Sequence, residues 1–498
     1  TATTEIYTRS LVGSVRCVLE TDDIHFAISS IDLKRAIERL KFDEHFFLQL
    51  YLAFKNQKNL KIKSKPFFQN SKFDKKIIEA LNFELTEAQN RAHTQIKNSL
   101  TNSSPMNCLL QGDVGSGKTI VSILASSIAV ESNFQVAIMA PTEILARQHL
   151  KSFKKEFDPL QITCALLTGG MATKDRDKII DSLNNGKIDL VIGTHALIQK
   201  DVKFKKLGLV IIDEQHRFGV NQRRILVEKG NNPHFLAMTA TPIPRTLAIT
   251  LYGDMDLCII DEMPKNRKPV ITKVIDENRL KRVYDFMAKE VVLGRQCMIV
   301  YPLVEETEKS DLIAATEMYE ELSKNEFSNL EVGLIHGKME KTEKDSIMNQ
   351  FSANDINILI STTVIEVGID VPNSTIMLIE HAERFGLTQL HQLRGRVGRG
   401  KNKSFCILVR RSFSENAKKR LNIMEETNDG FVIADEDLKI RGPGEFFGIR
   451  QSGYLSFKIA NMKTDGSLIQ KARKLAKEII KHDSNLELSL IHISEPTR

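Results

Sequence analysis

Tryptophan is absent from this 498-residue chain, and its six cysteines are scattered. Cys17, Cys108, Cys164, Cys258, Cys297 and Cys406 form no CxxC pair and no Cys/His spacing of the kind a zinc site needs, which suits a reducing cytosol. Long apolar runs are lacking as well: no stretch approaches the ~20 residues needed to cross a bilayer, and no secretory signal opens the chain. A large excess of one charge is missing too, because Lys plus Arg outnumber Asp plus Glu only by 70 to 63. The resulting +7 permits a nucleic-acid partner but does not establish one, since scattered surface charge gives the same total. There is no short-period repeat, no low-complexity tract and no evident aromatic platform for sequence-specific base stacking. What remains is length and an apolar fraction of 42%, enough for two or three packed domains.

Residues 31–40 carry a helical pattern, followed by the aromatic run 42–50 and a lysine-rich stretch at 55–65, which together read as a connector. From Leu81 the pattern changes. Short β-rich runs at 108–110, 136–139, 190–192, 209–212 and 235–238 alternate with amphipathic helical stretches, the rhythm of a parallel sheet wrapped by helices. It restarts beyond Asp261-Glu262-Met263-Pro264, with strands expected at 296–300, 331–335, 356–360, 376–380 and 404–409. Two similar α/β units joined near 261–275 are the simplest architecture. From Gly430 onward, with Arg441-Gly442-Pro443-Gly444, the rhythm breaks and predicts a separate C-terminal element.

Gly112-Asp113-Val114-Gly115-Ser116-Gly117-Lys118-Thr119 fits G-x-x-x-x-G-K-[ST], between an apolar strand and a helix expected over 120–130. Its glycines let backbone N–H groups converge on phosphate oxygens at a helix N-terminus. Lys118 would meet the β/γ-phosphates of ATP, and Thr119 would ligate Mg2+. The strand at 209–212 ends in Asp213-Glu214-Gln215-His216, at the sheet edge where ligands of open α/β folds bind. Asp213 suits the magnesium-holding role and Glu214 the residue that orients or deprotonates the attacking water, while His216 reads more readily as a local hydrogen-bonding residue. Far downstream, Gln392-Leu393-Arg394-Gly395-Arg396-Val397-Gly398-Arg399 offers Arg396 and Arg399, expected on one helix face and able to meet the γ-phosphate from a second domain. Gly395, Gly398 and Gly400 argue against a plain solvated helix there.

These runs together resemble the motif set of superfamily-2 helicases. By that resemblance Leu85-Thr86-Glu87-Ala88-Gln89 supplies an adenine-reading amide in Gln89, and Thr239-Ala240-Thr241-Pro242 couples ATP to nucleic acid. Residues 361–370 and 392–399 match the fifth and sixth motifs, and His216, Thr239 and Thr241 become coupling residues. Nucleic-acid contacts are expected from Thr142, Gly169, Thr194, His195, the loop at 336–338, Thr362 and Thr363, where hydroxyls, amides and lysine suit phosphates rather than bases.

Four longer segments, 112–119, 213–220, 238–246 and 383–387, resemble the bacterial RecG branched-DNA helicases, and the transcription-repair coupling factors share most of them. Residues 437–453 favour RecG. The resemblance implies two RecA-like parallel-sheet domains in tandem, at 81–264 and 265–430, and a small C-terminal helical or hairpin translocation element at 431–487. Arg441, Arg450 and Gln451 would then convert motor closure into a stroke on duplex DNA. It further implies ATP and Mg2+ as cofactors, branched or duplex DNA as partner, single-stranded-DNA-binding protein as a further partner, a monomer, and a bacterial, nucleoid-associated cytoplasmic setting. Residues 19–80 are the expected connector from an oligonucleotide-binding wedge domain. The flanks 1–18 and 488–498 resemble translated sequencing adapters and are expected to be non-native. The alternatives are the motor of a coupling factor and a DNA clamp that uses ATP only as a structural ligand.

Overall fold

A computed structural model of the chain describes residues 29–60, 63–241, 255–265, 267–302, 308–362, 371–400, 402–412, 414–441, 457–461 and 464–483. They fall into two compact units, the larger formed by 64–243 with 258–437. The fold class is as expected: two parallel sheets with helices and a C-terminal helical element.

The larger unit holds both sheets. In the first, β1 (Asn107–Gly112), β2 (Gln135–Met139), β3 (Cys164–Leu167), β4 (Leu190–Gly193), β5 (Leu207–Ile212), β6 (His234–Thr239) and β7 (Asp256–Ile260) lie in the order β3-β4-β2-β5-β6-β1-β7. Neighbours from β3 through β1 are parallel. The second sheet, β8 (Ile271–Asp276), β9 (Gln296–Val300), β10 (Val332–Ile335), β11 (Ile358–Ser361), β12 (Ser374–Ile379) and β13 (Phe405–Arg410), runs β10-β11-β9-β12-β13-β8 with every pair parallel. Because β2, β5, β9 and β12 are buried at every position, they read in sequence as continuous apolar runs. Parallel order also brings the carboxyl ends of β1 to β6 to one edge of the first sheet and those of β8 to β13 to one edge of the second. The candidate site grows from those two edges.

One local device occurs twice. After β5, Glu214 adopts a left-handed φ of 48°, a 3-10 turn follows at Gln215–Arg217, and the helix Val220–Val227 starts where the Gln222 side chain accepts the Gly219 N–H. After β12, His381 at φ 47°, the 3-10 turn Ala382–Arg384 and the helix Leu387–Arg394, with Gln389 accepting the Gly386 N–H, repeat it. Arg-Phe-Gly stands in the same place in both copies. The two sheets are therefore built alike at the edge that carries chemistry.

The smaller unit joins the helix Ser30–Leu60 to the helix Gly466–His482 through Leu50, Ala476 and Ile480. Asp465 accepts from Lys41 at 2.9 Å and lies 3.3 Å from His45, while the Glu44 carboxylate accepts the backbone N–H groups of Lys458, Ile459 and Ala460. The connector pattern thus extends into one long helix. Gly430, expected to break the rhythm, instead opens the helix Gly430–Arg441. Asp429 explains the difference, because its carboxylate accepts the N–H groups of Phe431 and Val432 and caps the first turn.

Candidate functional site

β1 ends at Gly112, and the chain turns back on itself before the helix Lys118–Glu131 begins. Gly115 and Gly117 make the turn at φ of 78° and 90°, a left-handed region that side chains resist. A Cβ on Gly117 would collide with the Gln89 amide, and one on Gly115 with the Arg267 guanidinium. The Ser116 hydroxyl is buried with no partner. Lys118 Nζ is buried and donates to the Gly112 and Asp113 carbonyls, each at 2.8 Å. Burial pulls its pKa down, against Glu214, Asp213 and Asp113, which hold the charge in place. The lysine therefore fills the turn of the glycine-rich loop. Gln89 lies behind it, donating to the Ser116 carbonyl at 2.8 Å and accepting the Thr86 N–H at 2.9 Å.

β5 delivers the two carboxylates at the same edge. Asp213 lies with Oδ2 2.8 Å from His149 Nε2, and its Oδ1 accepts the Glu214 N–H at 3.0 Å. Burial would raise its pKa, but the His149 bond, the His149 charge and Lys118 outweigh burial and hold it below the usual carboxylate range. Glu214 moves the other way: burial and the neighbouring Asp213 charge raise it, and Lys118, the Ala240 N–H and Arg396 offset this only in part. Adjacent carboxyls pushed in opposite directions suit one charged ligand for a cation and one proton acceptor.

The second sheet reaches this loop directly. His391 Nε2 lies 2.5 Å from Asp113 Oδ1, and its Nδ1 lies 3.0 Å from Arg394 Nη2. Arg394 can only donate, so Nδ1 accepts and the ring N–H points from Nε2 at Asp113. Arg394 in turn donates to the Met424 and Thr427 carbonyls at 2.8 and 2.9 Å. A second path leaves Glu214: its Oε2 accepts the Ala240 N–H at 3.3 Å, and the next residue, Thr241, accepts from Gln392 Nε2 at 2.8 Å.

Arg396 and Arg399 do not lie on a helix face. The helix ends at Arg394, because Gly395 caps it and Gly398 turns at φ 80°, so both arginines sit on the loop that follows. Their charges nevertheless reach the carboxylate and the lysine of the first sheet. Arg396 acts on Glu214, Arg399 acts on Lys118, and Arg399 Nε donates to the Gly395 carbonyl at 3.4 Å.

Strand direction gathers most residues expected to touch nucleic acid. Thr142 follows β2, Gly169 follows β3, Thr194 and His195 follow β4, Thr239 ends β6 and Thr362 follows β11. A Cβ on Gly169 would lie 3.8 Å from His195 Nε2, so those two loops adjoin. Thr142 also caps a helix by accepting the Leu145 N–H, and the Thr362 hydroxyl is buried without a partner. His216 lies with Nδ1 3.6 Å from Glu214. Arg450, Gln451, Thr363 to Asp370, Pro242 to Thr246 and the side chain of Arg441 lie outside the described residues. Among the described residues no group of His, Cys, Asp and Glu forms a metal cluster, and no helix is long and apolar enough to cross a membrane.

His149, His391, Arg394 and Arg267 were not singled out from the sequence. Their partners stand 64, 278, 30 and 153 residues away, so no local spacing could have marked them.

The two sheets, whose carboxyl edges meet at the glycine-rich loop, correspond to two helicase family matches. Residues 86–249 match the DEAD/DEAH box helicase family and residues 278–401 the helicase conserved C-terminal domain. Residues 427–492 match a narrower family, the C-terminal part of domain 3 of the ATP-dependent DNA helicase RecG. The chain is 49% identical over 456 residues to the ATP-dependent DNA helicase RecG of Thermotoga maritima, covering 92% of the chain and 58% of that relative. To the protein of that name in Streptococcus pneumoniae it is 47% identical, covering 92% of the chain and 68% of the relative. A solved structure of RecG bound to a three-way DNA junction superposes with a TM-score of 0.73 at 47% identity, covering 88% of this chain and 58% of that one. The chain belongs to the RecG family of ATP-dependent DNA helicases. It spans somewhat over half the length of the Thermotoga relative.

Proposed function

We propose that the chain is the motor of an ATP-hydrolysing translocase on double-stranded DNA, and that the protein it represents remodels branched DNA in fork reversal and Holliday-junction processing. The observation that carries this is the meeting of the 112–119 loop with the 391–399 segment of the other sheet, through His391 to Asp113 and through the charges of Arg396 and Arg399. A site divided between two sheets opens and closes with its ligand, which is what a motor requires. The relative bound to a three-way junction supports branched DNA as the substrate. The match of residues 427–492 to a RecG domain favours this reading over a coupling factor. Within it we assign motor domains at 81–264 and 265–430 and a translocation element at 431–487. The monomeric state, the single-stranded-DNA-binding protein as partner and the nucleoid-associated cytoplasmic setting belong to the same proposal.

The residues suit the roles assigned to them. Gly112 to Thr119 cradle the phosphates, with Gly115 and Gly117 giving the backbone close approach and Ser116 and Val114 in the loop wall. Lys118 must leave the Gly112 and Asp113 carbonyls to meet the β/γ-phosphates. Gln89 reads adenine from beside the loop. Asp213, held charged by His149, and Thr119, at the first turn of the helix, fit Mg2+, whose charge would offset that of the phosphates. Glu214, its pKa raised, orients and deprotonates the attacking water. Arg396 and Arg399 approach the γ-phosphate from the second sheet. Thr239, Thr241 and His216 relay the state of Glu214 toward DNA held by Thr142, Gly169, Thr194, His195 and Thr362. Arg441, Arg450 and Gln451 carry the stroke.

The test is phosphate release by the chain with Mg2+ and ATP, alone and with linear or branched duplex DNA. Duplex stimulation that Lys118→Ala abolishes is expected. Turnover that survives Lys118→Ala would remove the site, and turnover indifferent to DNA would support a clamp instead.

A further inference from the structure

The link between the two sheets contains Lys265 to Pro269, and one of its side chains enters the phosphate loop. Arg267 Nη1 donates to the Val114 carbonyl, and its Nη2 donates to the Gly395 carbonyl at 3.2 Å. Its guanidinium covers Gly115 so closely that an added Cβ would displace it. Gly395 itself packs on Val114, where an added Cβ would come within 2.7 Å of the valine Cβ. The same Gly395 carbonyl accepts from Arg399 at 3.4 Å. One linker arginine thus bonds the loop that would hold phosphate and the loop that carries both candidate fingers. It does so while Lys118 fills the cradle by bonding Gly112 and Asp113.

We infer that Arg267 is a positioning residue for the nucleotide step, a latch that holds the phosphate loop and the Gly395 to Arg399 loop together in the conformation whose cradle Lys118 occupies. The inference rests on the ATP-site reading above. Nucleotide binding has to open this arrangement, because a phosphate and the Lys118 ammonium bonded to Gly112 and Asp113 cannot share one turn. A latch that stabilises the arrangement in which Lys118 bonds Gly112 and Asp113 lowers the competent fraction, and apparent affinity falls by that fraction. A planar fork bridging two carbonyls is a task for arginine; lysine, with one compact ammonium, cannot span both. Release of the latch also frees the carbonyl it shares with Arg399, so nucleotide entry and placement of the fingers become one event.

The experiment measures binding of fluorescent ADP by the whole chain, together with ATP turnover and its KM with and without duplex DNA. Arg267→Ala should tighten ADP by about tenfold, the scale of losing charged hydrogen bonds from one state only. Its DNA-free turnover should rise, so the stimulation ratio falls. Arg267→Lys should give a smaller shift of the same sign, which preserves the test if the alanine variant folds poorly. A merely structural role would lower the unfolding temperature and kcat without tightening ADP. Unchanged or weakened ADP binding in both variants, with normal binding by the parent chain, overturns the latch. Failure of the parent chain to bind ADP would instead overturn the ATP-site reading on which it rests.

Discussion

Acid should loosen the first sheet through one buried histidine. His234 opens β6 with no exposed surface, its ring 4.5 Å from that of Phe67 and its Nδ1 accepting the Met106 N–H at 3.0 Å, while Nε2 has no hydrogen-bond partner. A fully buried ring that accepts at Nδ1 is held neutral. Burial lowers its pKa from 6.5 to about 4, with a smaller opposing pull from the Lys65 backbone. The unfolded chain binds the proton near 6.5 and the folded chain only near 4. Stability from this group is therefore complete above 6.5 and is lost as pH falls toward 4. At ~1.36 kcal/mol per unit, the gap is worth about 3 kcal/mol at the bottom of the window and about 2 kcal/mol at pH 5. Urea unfolding at steps from pH 7.5 to 4.5, for the parent and for His234→Gln, isolates it from other titrating groups. Glutamine can still accept the Met106 N–H but cannot titrate. The parent should lose about 2 kcal/mol more than the variant between pH 7 and 5. Parallel curves would refute the account of His234.

Other expectations are as direct. Gly117→Ala meets both a left-handed φ and the Gln89 amide, so it should cost the fold about 1–3 kcal/mol, read as a lowered unfolding temperature, and weaken ATP binding by about tenfold or more as the loop shifts to relieve the strain. Gln392→Ala removes the bond to Thr241 and should cut DNA-stimulated turnover more than basal turnover, read from the ratio of the two rates. Asp74, buried between His93 at 3.2 Å and Lys97 at 2.6 Å, is held charged well below the usual carboxylate range despite its burial. Asp74→Ala should cost about 2–3 kcal/mol near neutral pH, a difference from the parent that persists through the usual carboxylate range and closes only in stronger acid.

Much of the architecture was legible because buried parallel strands must be apolar throughout. Leu209 to Ile212 and Gln296 to Val300 announce themselves, and each strand's end then locates Asp213 or the loop that follows. Edge strands were less visible: Cys164–Leu167 is an apolar run of only four residues, three of them partly exposed, and so short a run does not separate a strand from a buried helix segment, so β3 was missed. The turn at Gly115 and Gly117 was legible because glycine is required where φ is left-handed. The same reasoning misplaced Arg396 and Arg399, whose spacing of three suggested a helix although Gly395 and Gly398 end it. What could not be read was pairing over distance. His149 beneath Asp213 and His391 against Asp113 are ordinary helix residues until the fold brings them to carboxylates, and Arg267 is a linker cation until Val114 and Gly395 converge on it.

The central claim is that one catalytic site is divided between two sheets, and Arg399→Ala tests it most directly. Fluorescent ADP binding and DNA-stimulated phosphate release are measured on the same preparation. The account predicts near-parental ADP affinity with turnover lowered by about 10³ or more, the scale of a lost arginine finger. Turnover at the parental rate would contradict it, and the active site would then belong to the first sheet alone.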